Sequence, residues 1–302
     1  MKAAVLHEYG PPSKLKYEDF PDPKPGPGEV LVRVQAASVN PVDWKMRSGA
    51  AKEHFPVTFP AVLGRDVAGT VRELGDGVDN FMVGDRVFAL TWATYAELCV
   101  VKAAELARIP EGLEMTAAAA VPLVSMTGDQ LIRNATEVQA GQTIVLTGAV
   151  GSVGRCALFA ALELGAKVIA GVRKSQIEEV KKLGALDAID VDDPDAVAKL
   201  GTVDGVADAV GGEVASRLLG KVKTGGHFGS LLGPPKDAAL HPTVVIKPMT
   251  AQPDPKRMIH YGEAVRDGKL KLPIERVMPL RDAAEAQAQA EKGGAGKFIL
   301  AP

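Results

Sequence analysis

Hydrophobic positions along this chain follow two rhythms, and the change falls near residue 115. Before it, short apolar runs are cut by proline and glycine. Lys2–Leu6, 29–36, 67–73, Arg86–Leu90 and 95–101 read as strands, and the run 29–36 alternates around Arg33. Pro21-Asp22-Pro23-Lys24-Pro25-Gly26-Pro27-Gly28 reads as a stiff loop, and Gly75, Gly77 and Gly84-Asp85 read as turns. Many short strands at this spacing predict a small barrel or sandwich.

From residue 115 strands alternate with helical patterns. An alanine-rich helix is predicted over 115–131. Strand 143–147, helix 152–164, strand 167–172, helix 176–183, strand 205–210, helix 213–219 and strand 225–231 follow. Such alternation implies a parallel sheet with helices on its faces. Ser175-Gln176-Ile177-Glu178 matches a capping box, and Gly184 matches a helix C-terminus. In the tail, Asp254-Pro255 opens a helix to about Asp267. Strand 274–279, helix 282–291 and strand 297–300 come next, a set able to return to the first domain.

The segment Thr143-Ile144-Val145-Leu146-Thr147-Gly148-Ala149-Val150-Gly151-Ser152-Val153-Gly154 carries the strongest chemical signal. A β-branched run stops in small residues, and an apolar helix follows. A strand, a glycine turn and a helix N-terminus in that order let a diphosphate sit against bare backbone. Ala149 stands where G-x-G-x-x-G has its first glycine, so Ala149, Gly151, Ser152, Val153 and Gly154 are candidate dinucleotide contacts. The next strand ends in Gly171-Val172-Arg173-Lys174. Val172 stands where an acid would hold ribose hydroxyls, and Arg173 and Lys174 supply charges suited to a 2′-phosphate. This points to NADPH. Two further strands end in small residues, which brings in Val210 and Gly211, then Ser230 and Leu231. On their own, Ser38-Val39-Asn40-Pro41-Val42-Asp43-Trp44-Lys45 and Gly64-Arg65-Asp66-Val67-Ala68-Gly69 each read as a turn.

Composition narrows the classes. A formal net charge of −2 argues against a broad nucleic-acid surface. Cys99 and Cys156 are too few for a disulfide framework or a four-cysteine zinc knuckle, and fit a reducing cytoplasm. No secretory h-region is present, and the apolar stretch 117–126 is short and interrupted by Pro122, so no membrane association is expected.

Together these segments resemble the medium-chain dehydrogenase/reductase superfamily, specifically its zinc-free quinone oxidoreductase branch. The resemblance rests on Met1-Lys2-Ala3-Ala4-Val5, Pro27-Gly28-Glu29-Val30-Leu31-Val32, residues 38–43, 64–69, Gly84-Asp85-Arg86-Val87, residues 147–154 and Gly296-Lys297-Phe298-Ile299-Leu300. It implies an α/β protein: a GroES-like β-barrel over 1–115, a Rossmann doubly wound parallel sheet over 116–255, and a return to the barrel over 256–302. It implies a cleft between the domains where nicotinamide meets substrate, and a homodimer as a possible assembly. Zinc-dependent relatives place cysteine where Asn40 stands and histidine where Arg65 stands. The cysteine-rich zinc loop is missing between Leu90 and Tyr95. No metal is therefore expected, and the implied substrate is a small quinone or enone. By the same resemblance Asn40, Thr127 and Lys297 approach the cofactor.

The leading expectation is hydride transfer from NADPH to a quinone or activated enone. Asn40 is a candidate for holding a carbonyl, and Asp43, Lys45 or Tyr95 for relaying a proton. Two alternatives remain open. One is an enoyl or alkenal double-bond reductase. The other is a non-catalytic NADPH-binding redox sensor, which the short segment 90–95 and the proline-rich stretch 233–255 keep in view.

Overall fold

The computed structural model describes residues 1–293 and 296–302. Its contacts divide the chain into two units, Met1–Leu123 with Pro253–Pro302, and Val124–Gln252.

The first unit is built from antiparallel strands. One sheet runs in the order Ile274–Pro279, Lys297–Ala301, Glu29–Ser38, Asp66–Leu74, Arg86–Leu90, Leu106–Arg108, with Leu98–Lys102 also on Glu29–Ser38. Its last two chain segments, Ile274–Pro279 and Lys297–Ala301, pair in parallel. A three-stranded sheet sets Lys2–Leu6 between Leu15–Asp19 and Ala61–Val62. Leu15–Asp19 carries only two half- or fully buried side chains, which explains why no strand is legible there. The core joins Val30, Val32, Val67 and Val87 to Met278, Ala286, Phe298 and Leu300, so the tail packs into the same apolar cluster as the first strands.

Two sequence expectations for this unit are corrected. Residues 41–48 form the helix Pro41–Ser48 rather than a turn, with Pro41 at its first position. The segment around Tyr95 is a connection, and the strand begins at Leu98.

The second unit is a six-stranded parallel sheet in the order Asp187–Asp190, Lys167–Val172, Thr143–Thr147, Val203–Asp208, Val222–Ser230, Val245–Pro248. Alternation along the central strand sends Ile144 and Leu146 into one apolar cluster with Ala157, Leu158 and Val180. Val145 enters the other, with Val206, Leu218 and Phe228. Both faces are thus covered, as a parallel sheet requires. The outer strands at 187–190 and 245–248 and the helix Pro194–Lys199 are absent from the sequence reading. The predicted helix 115–131 is broken, because Pro122 cannot donate to a continuing ladder. It becomes Met115–Ala119 and Pro122–Gln130, followed by a π-helical turn at Leu131–Ala135. The capping box expected at Ser175 is replaced: the Arg173 N–H donates to Gln176 Oε1 at 3.2 Å, and a 3-10 turn precedes the helix Ile177–Lys182.

Candidate functional site

In the second unit the glycine turn leaves the strand at Thr147 and enters the helix Ser152–Glu163. Gly148 adopts a φ of 67°, a conformation that favours glycine. Its carbonyl accepts the Gly151 N–H at 3.0 Å and closes the turn. A Cβ at Gly154 would lie 2.6 Å from the Ala149 Cα and overlap the Gly148 carbonyl, so only glycine lets helix and turn pack this closely. Gly151 caps the helix without any capping side chain, and it is exposed. The helix therefore offers bare amides at its positive end, the arrangement that holds phosphate. Ala149 is fully buried beneath the turn, and Ser152 and Val153 are half-buried.

Arg155 braces this turn. Its Nε donates to the Val150 carbonyl at 2.8 Å, and its Nη2 pairs with Glu179 on the next helix. Gly128 brings a second helix onto the first: a Cβ there would lie 2.6 Å from both the Val153 carbonyl oxygen and the Ala157 nitrogen. Half-buried Thr127 immediately precedes that contact in the chain. Val172 is buried, and Arg173 and Lys174 are exposed directly after it.

A buried carboxylate ties three strand ends together. Asp208 Oδ1 accepts the Thr147 hydroxyl at 2.8 Å and the Val210 and Gly211 N–H groups at 3.2 and 3.1 Å. Its Oδ2 takes the Ser230 hydroxyl at 3.4 Å, and its carbonyl takes the Leu231 N–H at 3.1 Å. Exposed Val210, buried Gly211 with a φ of 76°, buried Ser230 and half-buried Leu231 are positioned by this one residue. Sequence reasoning passed over Asp208. An aspartate closing an otherwise apolar strand, just before glycines, was the available signal.

The first unit gathers a second set of residues, and strand register explains how. Ile299 pairs with Ser38, so two steps in opposite directions set Lys297 level with Asn40. Ala68 pairs with Ala36, and the same counting sets Asp66 level with Ser38. The side chains confirm both alignments. Lys297 Nζ donates to Asn40 Oδ1 at 2.7 Å, and Asn40 Nδ2 donates to Asp66 Oδ2 at 2.9 Å. Asp66 also accepts the Ser38 hydroxyl at 2.5 Å and the Leu123 N–H at 2.7 Å, and it lies 3.8 Å from Lys297 Nζ. Asn40, Asp66 and Lys297 are all buried.

Asn40 is also the N-cap of the helix Pro41–Ser48. Its N–H donates to Asp43 Oδ2 at 2.8 Å, and the same oxygen accepts the Tyr95 hydroxyl at 2.7 Å. Asp43 Oδ1 is buried and has no hydrogen-bond partner among the described residues. Burial is the largest influence on Asp43 and pushes its carboxyl up to about 7, outweighing the hydrogen bonds from Tyr95 and Asn40. Burial, then the adjacent Asp43, drives the Tyr95 phenol well above its ordinary range.

Asn40, Asp43, Tyr95 and Lys297 thus form one connected network, with Asp66 as a member that sequence reasoning did not single out. Lys45 is left outside it. Two residues past Asp43 a helix has turned about 200°, and Lys45 is exposed.

Comparison with known proteins identifies the family. The alcohol dehydrogenase GroES-like domain family matches residues 26–111, and the zinc-binding dehydrogenase family matches residues 183–300. A chloroplast envelope quinone oxidoreductase homolog of Arabidopsis thaliana is 30% identical over 100% of this chain and 98% of its own length. A quinone oxidoreductase of Pseudomonas aeruginosa is 34% identical over 75% of this chain and 72% of its own. An acryloyl-coenzyme A reductase of Sulfurisphaera tokodaii is 31% identical over 76% and 75%. Among solved structures, the quinone oxidoreductase of Coxiella burnetii superposes with a TM-score of 0.89 at 28% identity, covering 100% of this chain and 99% of that one. A mycobacterial protein solved in complex with NADPH gives a TM-score of 0.85 at 27% identity, covering 100% of both chains.

Proposed function

Because the chain belongs to the medium-chain dehydrogenase/reductase superfamily, in its quinone oxidoreductase branch, we propose that it uses NADPH to reduce a quinone or activated enone without zinc. The carrying observation is the uncapped helix N-terminus at Gly151, packed on its turn through Gly154. Bound there, the reduced nicotinamide supplies the hydride.

The chain's own residues bind and orient. Amides of Gly151, Ser152, Val153 and Gly154 take the pyrophosphate, and Ala149 floors the turn. Arg173 and Lys174 take the 2′-phosphate, since no acid stands at Val172 to favour bare ribose hydroxyls. The Asp208 knot shapes the backbone at Val210, Gly211, Ser230 and Leu231 for the remainder of the cofactor, with Thr127 on the nicotinamide side. The structural relative complexed with NADPH supports this choice.

Asn40 and Lys297 serve the reaction from the first unit. The Lys297 ammonium polarises the Asn40 amide, and the Asp43–Tyr95 pair fixes the asparagine backbone. With both acceptor sites of the pair's shared oxygen occupied, Asp43 and Tyr95 act as positioning residues. Zinc does not fit these side chains. Among the described residues no three His, Cys, Asp or Glu side chains gather to hold a metal. Asp66 already faces Lys297, so a divalent cation there would meet an existing positive charge.

Anaerobic NADPH oxidation with a panel of quinones and enones tests the reading. Protein that binds NADPH yet turns over no acceptor would reject it. The acryloyl-coenzyme A reductase relative favours carbon–carbon double-bond reduction as a second reading, and product analysis by NMR separates the two. We further propose residence in the cytoplasm; among the described residues no helix is long and apolar enough to cross a membrane.

A further inference from the structure

Arg65 is a guanidinium held inside the first unit with no carboxylate in ion-pair contact among the described residues. The residue is 6% exposed. Asp43, Asp66 and Glu105 reach it only as charges at a distance, and burial works against its charged form. Its Nε donates to the Thr91 carbonyl at 2.8 Å. The remaining donors of its fork find no acceptor among the described residues, yet they are not among the polar atoms sealed from solvent. A cation in a low-dielectric setting costs free energy unless an anion answers it.

Its orientation is fixed by stacking. The guanidinium lies over the Trp92 ring, 3.6 Å from the centroid. Trp92, though not Arg65 itself, also walls a largely apolar cavity of about 370 Å³, together with Phe55, Val57, Leu63, His54 and Thr58. Phe55 and Trp92 sit with ring centroids 5.9 Å apart. Trp92 is 47% exposed despite its size and the guanidinium stacked on it. The volume suits a small organic molecule.

We propose that Arg65 and Trp92 anchor an acceptor that carries a carboxylate on a flat conjugated body. The planar fork matches the two carboxylate oxygens, and the aromatic and aliphatic wall takes the apolar body. This inference rests on the reductase reading for its chemistry, though not for the binding itself. It narrows that reading from quinones and enones in general to those bearing an acid group.

Calorimetric titration of the full chain with 2-naphthoate, and with 2-naphthamide as its neutral counterpart, tests the anchor without turnover. The acid should bind about ten-fold or more tightly than the amide, the factor expected of one charge-assisted contact. Arg65→Gln should erase the preference, and Arg65→Lys should keep part of it as a point charge without a fork. Trp92→Leu, at a half-exposed position, should weaken the acid several-fold. Equal binding of acid and amide by the unaltered chain, or an undiminished preference in Arg65→Gln, would overturn the proposal. If Arg65→Gln does not fold, an undiminished preference in Arg65→Lys together with unchanged affinity in Trp92→Leu overturns it equally. A carboxylated naphthoquinone and its methyl ester then extend the test to kcat/KM. Acid preference in binding with no turnover of any acceptor sinks the reductase reading and leaves the anchor standing. Turnover without acid preference does the reverse.

Discussion

Each unit buries a carboxylate among hydrogen-bond donors, but the donors differ in kind. Asp208 is met by hydroxyls and backbone N–H groups, all neutral and set by strand and turn geometry. Asp66 is met by an asparagine amide, a serine hydroxyl and the Leu123 N–H, with the Lys297 ammonium 3.8 Å away. The first arrangement fixes backbone. The second links side chains and has a buried ammonium beside it. A buried acid thus serves as a neutral rivet or as part of a charged network, according to whether a cation stands beside it.

Substitutions can break this contrast, and the largest effect is expected where backbone meets backbone. Gly154→Val should abolish measurable NADPH binding, weakening it by roughly two orders of magnitude, about 3 kcal/mol. Calorimetry, with circular dichroism to verify folding, reads the outcome. Asp208→Asn should cost about 2–3 kcal/mol in urea unfolding, because the new NH₂ group faces donors where an oxygen stood. Its effect on turnover should follow stability and cofactor affinity.

Lys297→Met should add a loss of turnover to a loss of stability. Unfolding free energy should fall by about 3 kcal/mol, because Asp66 is left buried without its nearby ammonium, while kcat drops about ten- to a hundred-fold. If Lys297→Met spares kcat, the contrast fails. Arg173→Glu should weaken NADPH about ten- to a hundred-fold and NADH little, since one charge-assisted contact is worth about 1.5–3 kcal/mol. Equal loss of both cofactors would remove the phosphate role.

A further effect concerns pH. Asp43 is raised from an ordinary value of 3.8 to about 7 in the folded chain. The folded state then holds a proton that the unfolded chain has released between those values. Stability should fall as pH rises through that window, with a slope of at most about 1.4 kcal/mol per pH unit. Asp43→Asn should flatten this part of the profile, as read from unfolding free energies at successive pH values. An unchanged slope would show that Asp43 does not titrate there.

Most of the second unit was legible because its signals are local. Strand 143–147, the turn at 148–151 and the helix after it lie in one unbroken stretch of sequence. Strands 187–190 and 245–248 escaped notice because they are short edge strands with only partly buried side chains. The first unit's network was less legible. Asn40, Asp66 and Lys297 come from three chain segments, and only register reveals that they share one level. Their family resemblance singled out Asn40 and Lys297 but not Asp66. The capping link between Asn40 and Asp43 was hidden for another reason. Their spacing of three is a helix-capping pattern, yet Asn-Pro reads first as a turn.

The hydrogen bond from Lys297 to Asn40 spans 257 positions of sequence. Arg47 makes comparable closures, to Gln287 across 240 and to Glu291 across 244. During synthesis the asparagine emerges long before its lysine. A nascent chain can form the glycine turn at 148–151 while this polar network still lacks its cation.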